Sequence, residues 1–194
     1  MKILKIGALC KANKRFTIYN VGRGAQWLSD GYGCYPLGDL PELFEEEIAV
    51  IFDVPEDKRD KFYFEVKVGL PDGISSSDSV EGECELSPVP LGIVWCDEVL
   101  LPYKSDRGIL LVQKKYLSPF EEVMTLYERR TKSGEPYIAA KRGMIVNGII
   151  TPYGAVTQEL ANIITEIGRE LVVTAVAARE EPSQMSFDDE DEEG

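Results

Sequence analysis

The chain is predicted to be an α+β protein, with a mostly antiparallel β sheet or partly open barrel, one or two packed helices and a disordered acidic C-terminal tail. Three observations predict it. Phe62, Phe64, Val66 and Val68 alternate with Tyr63, Glu65 and Lys67, the period-two signature of a half-buried strand. Several other short apolar runs are separated by Gly, Pro, Ser and Asp clusters, the punctuation of a β-rich fold. Sustained helical spacing is confined to the region after Thr151-Pro152, where Val156, Leu160, Ile163, Ile164 and Ile167 recur on one side of a helix. With 194 residues, 44% hydrophobic and 28% charged, the sequence suits a single globular β-rich domain over 1–180, large enough to bury a core without disulfides, and a tail over 181–194.

Taken in order, Met1 to Cys10 and Arg15 to Val21 read as strands of an N-terminal hairpin, joined by the polar turn Lys11 to Lys14. Gly22 to Gly38, with five glycines and no clear period, reads as a long ordered loop. Asp39-Leu40-Pro41-Glu42 starts a short helix with Leu40, Leu43, Phe44, Ile48 and Ile51 on one face, and Pro55 ends it. Ile74 to Pro90, rich in serine and acid, reads as a mobile surface loop. Leu91 to Leu101 and Gly108 to Tyr116 are strands, and Ser118-Pro119-Phe120-Glu121 has the form of a capped helical turn. Met124 to Arg130 and Glu135 to Lys141 then pair as a hairpin about Thr131-Lys132-Ser133-Gly134, and Met144 to Ile150 adds a strand. In the last helix, Gly168 either stops the element, leaving Glu170 to Ala178 as a strand, or is passed by a helix that continues to Ala178.

The formal charge of −13 is segregated along the chain. Residues 1–23 carry six bases and no acid, Asp30 to Glu98 carries eighteen acids against four bases, and residues 101–179 return to a net +3. Such a distribution suits either a basic surface that recruits a polyanion beside a competing acidic tail, or a fold that mixes the regions and leaves no patch. Histidine is absent, which removes every Ser-His and Cys-His nucleophilic pair. Cys10, Cys34, Cys84 and Cys96 lack metal-ligand spacing and read as small buried hydrophobes, so no metal and no cofactor is expected. No secretory signal and no run of transmembrane length is visible, and the expected compartment is a reducing cytoplasm, of a cell or of an infected host.

Two stretches combine cations with aromatics, as contact with phosphates and bases requires. The first holds Lys14, Arg15, Arg23, Trp27 and Tyr32. The second holds Arg129, Arg130, Lys132, Lys141 and Arg142 on the arms of the hairpin, with Tyr127 and Tyr137 nearby. Gly22-Arg23-Gly24 and Gly31-Tyr32-Gly33 are not followed by the Gly-Lys-Ser/Thr of a phosphate-binding loop. Glu65 and Lys67 share one face of their strand and resemble the acidic-x-Lys element of a large superfamily of metal-dependent nucleases, a resemblance that implies metal ligation and water activation there.

In the tail, Gln184-Met185-Ser186-Phe187 resembles a shortened form of the Gln-Leu-Ser/Asp-Leu-Phe peptide by which bacterial replication and repair proteins occupy the sliding clamp, with Phe187 one residue early. A folded body followed by an acidic tail bearing Met185 and Phe187 is also similar to bacterial and phage single-stranded-DNA-binding proteins, whose tails recruit partners. Together these features point to a non-enzymatic, cytoplasmic nucleic-acid-binding protein, of the kind a phage or other mobile element encodes. It would meet DNA or RNA through its basic, aromatic-bearing surface and a protein partner through Gln184, Met185 and Phe187. The alternatives are an acidic DNA mimic that inhibits a nucleic-acid-binding host or defence protein, and the metal-dependent nuclease. No membrane contact is expected, and the oligomeric state is left open.

Overall fold

The computed structural model describes residues 2–22, 24–38, 40–154 and 158–180. Its chain divides into two units, Met1–Gly154 and Ala155–Gly194. The first is an α+β fold built on an open, mostly antiparallel sheet, and the second is described as one helix.

The chain enters as helix α1 (Ile3–Ala12), which corrects the expected N-terminal strand. Ile6, Leu9 and Cys10 recur at helical spacing and are buried, whereas Leu4, which an alternating strand would have buried, is exposed. Gly7 is the reason the helix lies so close to its neighbour, because a Cβ at that position would sit 2.1 Å from Cδ1 of Phe52. Strand β1 (Arg15–Asn20) follows.

The glycine-rich stretch is not a loop. It forms β2 (Gln26–Ser29) and β3 (Gly33–Pro36), with Gly22 and Gly24 at φ +88° and +75° in the turn before β2 and Gly31 at φ +100° in the turn between the two strands. Every residue of β2 is buried, so its sequence shows no alternation, and only the turns left a signal.

Helix α2 (Glu45–Ile51) begins later than Pro41, with the Glu47 carboxylate accepting the Phe44 N–H at 3.1 Å. A 3-10 turn (Glu56–Lys61) leads into β4 (Tyr63–Val68), as its alternation predicts. Residues 69–83 then run over the sheet to β5 (Cys84–Pro88), a strand inside the stretch expected to be loop. The single strand expected over 91–101 is a hairpin of β6 (Ile93–Trp95) and β7 (Glu98–Ser105), turned by Cys96 and Asp97 at φ +48° and +63°. Strand β8 (Gly108–Gln113) and a 3-10 turn (Lys114–Leu117) follow, and Ser118 to Glu121 do not continue as a helix. The hairpin of β9 (Thr125–Arg130) and β10 (Pro136–Arg142) and the strand β11 (Ile145–Ile150) stand where the sequence places them. Helix α3 (Gln158–Glu180) passes Gly168 without a break.

The strands run in the order β4-β1-β2-β3-β11-β10-β9-β5-β7-β6, with β8 beside β7. β1 and β4 are parallel and the other described pairs are antiparallel. β5 joins the halves by pairing Cys84 to Leu86 with β9 and Ser87 and Pro88 with β7. Alternation along the strands sends Phe16, Ile18, Leu28, Tyr35, Ile138 and Ile150 to one face, where they meet α1, α2 and Tyr116. Phe16 stacks on Phe64 at 5.2 Å between ring centres and meets Phe52 at 5.6 Å. The opposite face carries a smaller cluster of Tyr19, Trp27, Cys34, Tyr137, Ala139, Val146 and Ile149, with Leu70 and Ile74 from the 69–83 segment packed on it.

Candidate nucleic-acid interface

Strand register shows which of the basic and aromatic residues meet. Gly33 pairs with Ile150, Ile150 with Ile138, and Ile138 with Glu128, so the Asp30 to Tyr32 turn, the end of β11 and the β9–β10 turn lie at one end of the sheet. The start of β1 lies at that same end, because Thr17 pairs with Ser29 and Ser29 with Cys34. Lys14, Arg15, Tyr32, Arg130 and Lys132 are therefore gathered along one sheet end. Arg142, which pairs with Ile145, is at the other.

The centre of this rim is built around Arg15. Its guanidinium carbon stands 5.1 Å from the centre of the Tyr63 ring, and its Nε donates to Thr17 Oγ1 at 3.1 Å. Gly31, at φ +100°, takes a backbone conformation that favours glycine, and the Arg15 stem passes beside it. Tyr63 and Tyr32 are 50% and 55% exposed. Lys14, at φ +51°, is exposed, and its carbonyl accepts the Tyr63 N–H at 2.9 Å, which fixes the edge of the rim.

Asp30 shapes the turn that carries Tyr32. Only 2% exposed, its Oδ1 accepts the N–H groups of Tyr32 and Gly33 at 2.9 and 2.7 Å, and its Oδ2 accepts Asn13 Nδ2 at 2.6 Å. Asn13 also donates to Tyr116 Oη at 3.2 Å, and the Tyr116 ring centre is 6.3 Å from that of Tyr32. Lys115 lies 5.4 Å above the Tyr116 ring and pairs with Glu98 at 2.5 Å. Burial, reinforced by the Asp30 carboxylate, pushes the Tyr116 phenol well above its ordinary range, so it stays a neutral hydrogen-bonding group. The same two causes push the Cys10 and Cys34 thiols up, which keeps both unreactive. Cys96 is exposed, unlike the buried role expected for all four cysteines.

The remaining predicted contacts fall elsewhere. Trp27 is buried in the smaller core and offers no ring to solvent. Arg23 lies outside the described residues, as do Gln184, Met185 and Phe187. On the hairpin, the expectation of five solvent-facing cations is corrected for two. The Arg129 side chain is 0% exposed, its Nη2 and Nε lying 2.6 and 2.8 Å from the Glu83 carboxylate, while buried Lys141 pairs with the other Glu83 oxygen. Arg129 also donates to the carbonyls of Ser75 and Asp78 at 3.1 and 3.4 Å. The acidic segment is thereby fastened to the hairpin, with Asp78 Oδ1 accepting the Val146 N–H at 3.0 Å. It is a strap over the smaller core rather than a free acidic loop. Arg130 remains exposed and pairs with buried Glu128 at 2.7 Å, Lys132 is exposed on the turn, and exposed Arg142 stands 3.9 Å from Glu122.

Sequence reasoning missed Tyr63, Lys115, Tyr116, Asn13 and Asp30. Lys114-Lys115-Tyr116 repeats the two-cations-then-aromatic order of Lys14-Arg15-Phe16, a signal that was available but had no partner until the fold supplied one. Glu65 and Lys67 do share a face and pair with each other at 2.9 Å, the lysine holding the glutamate below its ordinary carboxylate range. Among the described residues, no group of three or more Cys, Asp or Glu is placed to hold a metal ion. Among those residues, too, no helix is long and apolar enough to cross a membrane. No family model matches the chain, and neither the curated proteins nor the solved structures contain a significant match to it.

Proposed function

We propose that the chain is a non-enzymatic protein that binds single-stranded nucleic acid along the sheet end formed by Lys14, Arg15, Tyr32, Tyr63, Lys115, Arg130 and Lys132. The observation that carries this reading is the Arg15 guanidinium over the half-exposed Tyr63 ring, at the sheet end that also carries half-exposed Tyr32. A cation beside exposed rings can hold a phosphate while neighbouring bases stack, a mode that tolerates any sequence because every base has a π face. The rim crosses from β1 to β9, five strand spacings or about 24 Å, long enough for a short run of nucleotides. The acidic residues 181–194, with Gln184, Met185 and Phe187, act in this reading as the site for a protein partner and as a competitor for the basic rim.

The DNA-mimic alternative keeps Glu42, Glu45, Glu46 and Glu47 as exposed acids, whereas Asp30, Glu83 and Glu128 are occupied with internal donors.

The test is fluorescence anisotropy with single- and double-stranded DNA and RNA at 50 and 200 mM salt. Single strands are expected to bind more tightly than duplexes, and Arg15→Ala and Tyr32→Ala are each expected to weaken binding about 10-fold, since one base stack contributes about 1–3 kcal/mol. If the chain lacking residues 181–194 binds none of these at low salt, the reading is wrong.

A further inference from the structure

Three residues of types that suit nucleic acid, Trp27, Arg129 and Lys141, are buried on one face of the sheet, and the strap of residues 69–83 packs over that face. The strap holds four acids and no base. Its Glu83 carboxylate takes the Arg129 guanidinium on one oxygen and the Lys141 ammonium on the other, the grip that a phosphate would receive. Leu70 and Ile74 pack on the cluster that contains Tyr19, Trp27 and Tyr137, and the Tyr137 hydroxyl accepts the Ser75 N–H at 3.2 Å. Three aromatic rings and two cations thus lie together beneath an acidic cover.

The construction of the cover suits its release. Residues 69–83 form neither helix nor strand, and Gly69 and Gly82 stand near its two ends at φ +74° and +75°. Its apolar anchors Leu70 and Ile74 are only half-buried. A cavity of about 50 Å³ remains between Leu70, Pro71 and Ile74 of the strap and Tyr19 and Ile149 of the sheet, and Tyr32 of the basic rim lines it too. A segment held by few apolar contacts above a gap opens at a fraction of the cost of global unfolding.

We propose that residues 69–83 are an autoinhibitory strap over a second nucleic-acid contact face, formed by Tyr19, Trp27, Tyr137, Arg129 and Lys141. The inference rests on the single-strand reading of the rim. A strand held at Arg15 and Tyr32 meets the border of the strap, where its phosphates replace the Glu83 carboxylate on Arg129 and Lys141 and its bases stack on the uncovered rings. The ion pairs that close the strap are exchanged rather than lost, so opening leaves no buried cation without a partner.

Trp27 and Trp95 are the two tryptophans, so Trp95→Phe leaves Trp27 as the reporter of the covered face. A thymidine oligonucleotide is expected to quench Trp27 emission over the same concentrations at which the anisotropy of its labelled form rises. A Cβ built on Gly73 falls 3.0 Å from Thr131 Cβ, so Gly73→Cys/Thr131→Cys, in a chain with Cys84→Ser/Cys96→Ser, lets a disulfide lock the strap to the hairpin turn after a shift of about 0.5 Å. The oxidised form is expected to lose the quench and to bind about 10-fold more weakly than the same chain reduced, because its open state is removed. Binding with Trp27 emission unchanged, or equal affinity in the two redox forms, overturns the proposal and leaves the rim as the site. Absence of any anisotropy change removes the rim reading, and the proposal with it.

Discussion

Glu83 fastens the 69–83 segment to the β9–β10 hairpin. One carboxylate accepts from both Arg129 and Lys141, two cations buried on neighbouring strands. Removing it leaves two uncompensated charges away from water, so Glu83→Ala is expected to cost about 3–5 kcal/mol in urea unfolding. Burial pushes the Glu83 carboxyl up, but the hydrogen bonds from Lys141 and Arg129 outweigh it and hold the group below its ordinary range. A depressed folded-state value gives stability that is present in full above the unfolded value near 4.5 and is lost as pH falls through the folded one. Unfolding free energy should therefore decline below about pH 4.5, and Glu83→Gln should flatten that part of the profile while lowering stability at neutral pH. Arg129 and Lys141 also show why the hairpin was misread at the level of single residues. A cation on a strand looks the same in sequence whether it meets solvent or a carboxylate 58 residues away, as Lys141 meets Glu83.

At the scale of elements, α1 lies against the end of α2 through Gly7 and Phe52, and that contact decides the packing of the first helix. Gly7→Ala brings a methyl group into the Phe52 ring and is expected to cost about 1–3 kcal/mol in thermal or urea unfolding, although alanine is the better helix former. The same helix marks where the sequence was hardest to read. Lys2, Lys5 and Lys11 interleave with apolar residues, so the segment fits either period over its ten residues, and only burial of Ile6, Leu9 and Cys10 against the sheet selects the helix. By contrast, β4 was legible because Phe64 and Val66 alternate toward the main core, and the β9–β10 hairpin because Thr131 to Gly134 spells its turn, even though Tyr137 to Lys141 of β10 are all buried. β2 is buried on both faces, and its four residues carry no such pattern. The binding rim was half legible: Lys14, Arg15 and Tyr32 were visible as residue types. Their company with Tyr63 and Lys115 depends on a parallel β1–β4 pairing and a turn from 48 to 100 residues distant in sequence.

For the whole molecule, folding cancels part of the charge segregation seen along the chain. The acidic strap closes on the basic hairpin through Glu83, while Glu42, Glu45, Glu46, Glu47, Asp53, Glu56 and Asp57 stay exposed. Removing residues 181–194 takes the formal charge from −13 to −6, since that segment holds seven acids and no base. If the run competes for the rim, its removal is expected to tighten single-strand binding several-fold at 50 mM salt and by little at 300 mM, where screening shortens the reach of every exposed charge. An affinity unchanged at 50 mM would show that the tail does not compete. The large sheet is also less uniform than its strand order suggests. Only Ser87 and Pro88 of β5 register with β7, and proline has no N–H to give, although Val89 adds a bond to the Pro102 carbonyl at 2.9 Å. The β6–β7–β8 segment is thus tied through a seam of few amides. Its hydrogens should exchange with deuterium as one group, well before those of β1, β10 and β11, giving the protein a region that opens on its own while the rest stays closed.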